Sequence, residues 1–111
     1  MITFWQQENH TVINRSEKEL DSSLNTWIDV RSVTREDIRI LEEEYHIEQE
    51  DILDILDQDE LSRVEREDNY TLIIMRLPVF IADNDISYFT LPVGIVIMKN
   101  IIITICWTDS E

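Results

Sequence analysis

The sequence predicts an α/β (α+β) domain in which a small helix layer precedes an antiparallel C-terminal meander. Two observations carry that expectation. Apolar residues recur at helical spacing between about residues 35 and 57, whereas β-branched and alternating runs dominate before and after. Short polar turns, Ala82-Asp83-Asn84-Asp85 and Lys99-Asn100, then separate the long apolar runs of the second half.

Taken in order, Ile2 to Gln6 and Thr11 to Asn14 predict two short strands joined by a turn at Glu8-Asn9-His10. Ser16 to Asn25 is polar, with room for a short helix, and Trp27-Ile28-Asp29-Val30 predicts a compact strand. Thr34 is placed to cap a helix, with Asp37 three residues on able to bond back to it. Val33 and Ile38 supply the matching hydrophobic staple, and Ile38, Leu41 and Tyr45 continue the apolar stripe of a helix over about 35–45. A second helix covers Glu48 to Asp57. Its apolar stripe is Ile52, Ile55 and Leu56, and its carboxylate stripe is Glu50, Asp54 and Asp57. Strands are then expected over Leu61 to Glu67, Tyr70 to Phe80, Ile86 to Met98 and Ile101 to Trp107. Pro92 and Gly94 inside the third of these predict a bulge or a sheet edge.

Composition bounds the function. A chain of 111 residues is one domain's worth, and 43% hydrophobic content argues against disorder despite the charge. The formal net charge of -15 disfavours nucleic acid and anionic membrane surfaces as partners, leaving metal ions and basic proteins. The single cysteine, Cys106, excludes an intrachain disulfide and fits a reducing compartment. The amino terminus lacks the basic start and apolar run of a signal peptide. The stretch from Leu91 to Trp107 is interrupted by Lys99 and Asn100, so two strands explain it better than a membrane helix, which needs about 20 apolar residues.

The acidity is concentrated. Glu36 to Asp68 holds 15 of the 24 carboxylates against three arginines, Arg39, Arg63 and Arg66, a net -12. Carboxylate oxygens suit hard divalent cations such as magnesium, calcium or cobalt. The plainer reading is that they form the solvated faces of two helices. Other chemistries find no support. Asp83-Asn84-Asp85 fails as a calcium loop because Tyr88 stands at the sixth position, where Gly is needed. His10 and His46 lie too far apart for a zinc set with one cysteine, and His46 is read as a helix-end dipole partner. Cys106 sits in an apolar strand as a buried, inert thiol, and Trp5, Trp27 and Trp107 are expected in the core. Nothing picks out a pair of carboxylates for acid/base work, and the chain is expected not to be an enzyme.

The ordered set from Trp27-Ile28-Asp29-Val30 through Tyr45-His46-Ile47, Asp51-Ile52-Leu53-Asp54-Ile55-Leu56, Arg63-Val64-Glu65, Glu67-Asp68-Asn69-Tyr70 and Leu77-Pro78 resembles the N-terminal cytosolic domain of CorA-like magnesium/cobalt transporters. Leu91-Pro92-Val93-Gly94-Ile95-Val96-Ile97 and Ile101-Ile102-Ile103-Thr104-Ile105 resemble that family's closing strands. The resemblance spans about residues 25–107. It implies a mixed β-sheet with helices packed on its faces, as in the CorA soluble domain, with 1–111 as a single cytosolic domain lacking the stalk and transmembrane helices.

It also implies a homopentamer on the cytoplasmic side of the cell membrane, gated by Mg2+ or Co2+ bound between neighbouring subunits. The regulatory aspartate of that family matches Asp54, with Glu50, Asp51 and Asp57 as further candidate ligands. The partner carboxylate would come from the absent stalk helix, so the fragment is expected to bind no ion firmly, to transport nothing, and to be monomeric or weakly associated. Leu53 stands where the family has a glutamate, His46 where it has glycine, and the Gly-Met-Asn pore signature is absent. The rival expectation is a free-standing acidic module that binds a basic protein; a hydrolase using paired carboxylates ranks last.

Overall fold

The computed structural model describes residues 1–57, 59–80 and 88–106, with the backbone alone for 79, 80 and 88–90. The expected Ala82–Asp85 turn, the start of the following strand at Ile86, and Trp107 lie outside the described residues. Local sequence sets most of the elements. Asn9 and His10 both adopt positive φ (51° and 66°), the two-residue turn that matches strand twist, and so join β1 (Ile2–Glu8) to β2 (Thr11–Arg15). The polar segment that follows forms one 3-10 turn, Glu17–Glu19, before β3 (Thr26–Arg31).

Helix α1 (Arg35–Tyr45) starts on the expected box: the Asp37 N–H donates to Thr34 Oγ1 at 3.1 Å, and the Thr34 N–H donates to Asp37 Oδ2 at 3.0 Å. Asp37 is buried, and its carboxylate also receives the terminal ammonium of Met1 at 2.6 Å. The helix ends at His46, which takes the left-handed conformation (φ 58°) and donates its N–H to the Leu41 carbonyl. This is the position at which glycine is favoured, so His46 marks the cap by backbone geometry rather than by ring charge. Helix α2 follows over Gln49–Leu56, slightly shorter than the Glu48 to Asp57 read from the sequence.

Strands β4 (Arg63–Arg66), β5 (Thr71–Phe80), β6 (Tyr88–Met98) and β7 (Ile101–Cys106) complete a seven-stranded sheet of order β2-β1-β3-β7-β6-β5-β4. All neighbours are antiparallel except β3 and β7, which run parallel from Thr26↔Ile101 to Arg31↔Cys106. The sheet is therefore mixed, and the meander is β4 to β7. Both α-helices lie on one face, where Leu41, Ile47, Ile52 and Ile55 close over Ile28, Val30, Leu72, Ile74, Val96 and Ile103.

Three expectations need correction. Gly94 marks neither a bulge nor an edge, because β6 pairs without interruption with β5 on one side and with β7 from Val93 to Met98 on the other. A Cβ at Gly94 would stand 2.4 Å from Ile55 Cδ1 and 2.8 Å from Ile55 Cγ2, so the glycine admits helix α2 against the sheet. Trp5 and Trp27 are not core. They pair across β1 and β3 on the sheet's other face, stacked with ring centroids 6.2 Å apart, and Trp27 is 40% exposed. Cys106 is half-buried on that same face, out of phase with the buried Ile103 and Ile105.

Candidate functional site

The site is built between α2, which packs over β6 and β7, and the β4 edge of the sheet. Alternation along β4 turns Arg63 and Glu65 to the helix-bearing face, opposite Ile74 and Leu72, while Val64 is exposed on the other. Helix α2 supplies Asp51 in its first turn and Asp54 in the next. Tyr70, at the entry to β5, joins the two elements. Its hydroxyl donates to Asp51 Oδ2 at 2.5 Å and accepts the Glu48 N–H at 3.2 Å. Asp51 is only 5% exposed, and this hydroxyl is the donor that makes its burial tolerable. Burial, and then the Asp51 carboxylate it serves, push the Tyr70 phenol well above its usual range.

Asp51 does not act alone. One carboxylate oxygen each from Asp51, Glu65 and Glu67 lie within 4.8 Å of one another, a grouping among the described residues that could hold a metal ion. Partial burial, then the negative charges of Asp51, Glu48 and Glu65 and a hydrogen bond to Glu65, raise the pKa of Glu67. Three anions so close repel one another, and either a proton or a cation relieves that repulsion. The donors are all hard oxygens, a set that fits magnesium-like ions completed by water.

Asp54, the leading candidate from sequence, lies outside that group and under Arg63. The Arg63 Nη2 donates to Asp54 Oδ2 at 2.8 Å, its Nε to Glu65 Oε1 at 2.9 Å, and its Nη1 to Glu60 Oε1. The hydrogen bond to Asp54 is the main cause that holds the guanidinium pKa above its ordinary value; desolvation opposes it, and the charges of Glu60, Glu65 and Asp54 add to it. Glu65 thus belongs to both the three-carboxylate group and the Arg63 clasp. Glu50 and Asp57 are exposed; the Asp57 carboxylate accepts the Asp59 N–H at 2.9 Å. The stripe Glu50, Asp54, Asp57 therefore does not converge. Asp51 is the only one of the four sequence candidates in the close group, and its companions Glu65 and Glu67 were not singled out. Their signal was present as strand alternation in Arg63-Val64-Glu65, which places charged residues on a helix-covered face.

A family model described as CorA-like Mg2+ transporter protein matches residues 22–111. The chain belongs to that family. The complete CorA magnesium transporter from Methanocaldococcus jannaschii superposes with a TM-score of 0.75 at 25% identity, covering 99% of this chain and 33% of that one. The soluble domain of the same transporter gives a TM-score of 0.74 at 25% identity, covering 95% of this chain and 40% of that one. The cytoplasmic domain of ZntB from Vibrio parahaemolyticus shares the fold, with a TM-score of 0.67, 16% identity, and coverage of 97% of this chain and 44% of that one. Comparison with curated proteins gives no match.

The CorA-like chain thus spans about a third of the full transporter it resembles and two-fifths of that transporter's soluble domain. The mixed seven-stranded sheet is the fold that the resemblance implied. Among the described residues, no helix is long and apolar enough to cross a membrane. The family is one of transporters, not of enzymes.

Proposed function

We propose that this CorA-like chain is a regulatory cytosolic module of a divalent cation transporter, with Mg2+ or Co2+ as both transported and regulatory ion. In this reading it sits on the cytoplasmic side of the membrane as one of five identical subunits. Asp54 faces a cation shared with a carboxylate from the stalk helix of the neighbouring subunit. The mechanism is electrostatic. A bound cation offsets the concentrated charge of the α1–β4 segment on adjacent subunits and favours the closed ring; loss of the ion lets like charges repel and loosens it.

The observation that carries this reading is the family match over residues 22–111. The oxygen-only group of Asp51, Glu65 and Glu67 beside Asp54 supports it, because its donors suit the same class of ion. Thermal melting tests it. Magnesium at ten times its dissociation constant stabilises the folded chain by about 1.4 kcal/mol. The melting temperature therefore rises in millimolar MgCl2 beyond its value in NaCl of matched ionic strength, and an Asp54→Asn change reduces the difference. Equal melting temperatures in the two salts rule out site-specific sensing by this chain.

A further inference from the structure

We infer that Arg63 is a built-in competitor for the divalent cation at Asp54, so that the Arg63–Asp54 ion pair sets how much ion is needed to engage the site; this rests on the reading of Asp54 given above. The geometry is specific. The three guanidinium nitrogens are spent on three carboxylates from three parts of the chain: Nη2 on Asp54 of α2, Nη1 on Glu60 of the connection after it, and Nε on Glu65 of β4. Guanidinium is charged at every working pH, so this cation never leaves by deprotonation. It leaves Asp54 only by side-chain movement.

An incoming divalent ion meets an aspartate whose Oδ2 is already engaged at 2.8 Å and whose charge is already partly offset. Metal binding therefore requires the pair to open or to be shared. The same guanidinium also draws on Glu65, one of the three carboxylates that stand together with Asp51 and Glu67, so releasing it adds negative potential to both places at once. The Arg63 side chain is 24% exposed and the Asp54 side chain 32%, so solvent screens the pair and its opening is an accessible event. The effect on affinity is correspondingly modest. Removing the guanidinium should tighten divalent binding about fivefold, the scale of a partly exposed ion pair.

The test uses the 111-residue chain with Mn2+ alone as the probe. Paramagnetic broadening of the backbone amide signals around Asp54 is followed in the wild type, Arg63→Gln, Asp54→Asn and Arg63→Gln/Asp54→Asn at constant ionic strength. The expected result is half-broadening at about one-fifth the Mn2+ concentration in Arg63→Gln, lost again in the double variant. Equal or weaker binding by Arg63→Gln, with the wild-type response still lost in Asp54→Asn, overturns the competitor role and leaves the Asp54 reading standing. No Asp54-dependent broadening in any form overturns both. If Arg63→Gln fails to fold, the wild type itself decides: the Arg63 Nε–H signal should shift on addition of diamagnetic Mg2+ but not of matched Na+, and an unmoved signal at saturating Mg2+ overturns the inference.

Discussion

Gly94→Ala tests the packing that positions α2, and with it every candidate ligand on that helix. The added Cβ would meet Ile55 Cδ1 at 2.4 Å, Cγ1 at 2.6 Å and Cγ2 at 2.8 Å. Rotating the Ile55 side chain does not clear the contact, because Cγ1 and Cγ2 both spring from Cβ and Ile55 is fully buried. The helix must lift or the strand must bend. Overpacking of this kind costs about 1–3 kcal/mol. Gly94 has no positive φ, so alanine adds no backbone strain and returns about 0.5–1 kcal/mol by restricting the unfolded chain. The net expectation is a loss of about 1–2 kcal/mol. Urea unfolding followed by tryptophan fluorescence measures it, with an unchanged slope. In an Ile55→Ala background the same substitution should be close to neutral, which gives a coupling energy of about 1 kcal/mol or more. If Gly94→Ala stabilises the wild type, or costs the same in both backgrounds, the close approach of α2 to β6 is not what the glycine serves.

Tyr70→Phe leaves the buried Asp51 carboxylate without its donor and the Glu48 N–H without its acceptor, and should cost about 1–3 kcal/mol by urea unfolding. His46→Gly relieves a left-handed residue at the α1 cap and should stabilise by about 1 kcal/mol in the same assay; a loss would mean that the ring contributes more than the backbone costs. Glu67→Gln bears on pH. The folded-state pKa of Glu67 is raised, so its contribution to stability is fully present below the unfolded value of 4.5 and is lost as pH rises through the folded value. The variant should therefore melt higher than wild type at pH 7, with the difference closing below pH 4.5, and a lower melting temperature at pH 7 would contradict the repulsion among Asp51, Glu65 and Glu67.

Features set by neighbouring residues were legible in the sequence. The Thr34 and Asp37 box and the two helices follow from capping chemistry and periodicity, and the β6–β7 hairpin follows from the polar Lys99-Asn100 turn between two apolar runs. The misplaced features depend on contacts between distant segments. Trp5 and Trp27 suit a core by residue type, because aromatic strand residues are usually buried. Which face of the sheet the helices cover is decided by α1 and α2, which the strands themselves do not announce. β6 and β7 are apolar on both faces, with Ile97 and Ile102 exposed opposite buried Val96 and Ile103, so alternation there carries no signal. The parallel pairing of β3 with β7 joins segments about seventy residues apart, and no local pattern announces it; the family resemblance implied only that the sheet is mixed.

The site shows the same division. A helical wheel groups Glu50, Asp54 and Asp57 by spacing, and structure parts them, because Asp57 lies beyond the last turn of α2 and Asp54 pairs with Arg63. Asp51 reaches the close group by facing β4 and the β4–β5 turn, a direction set by the packing of Ile52 and Ile55. Family resemblance singled out Asp54, and the geometry adds what stands beside it: a permanent internal cation and three further carboxylate oxygens.

The most direct test of the regulatory role places the chain in a working transporter. The matching third of the Methanocaldococcus jannaschii CorA is replaced by this sequence, and magnesium flux through the assembled chimera is measured against magnesium on the domain side. Flux should fall as that concentration rises, with Asp54→Asn moving the response to higher magnesium. A chimera that assembles and transports, but whose flux ignores magnesium on that side while the parent responds, would contradict the regulatory role.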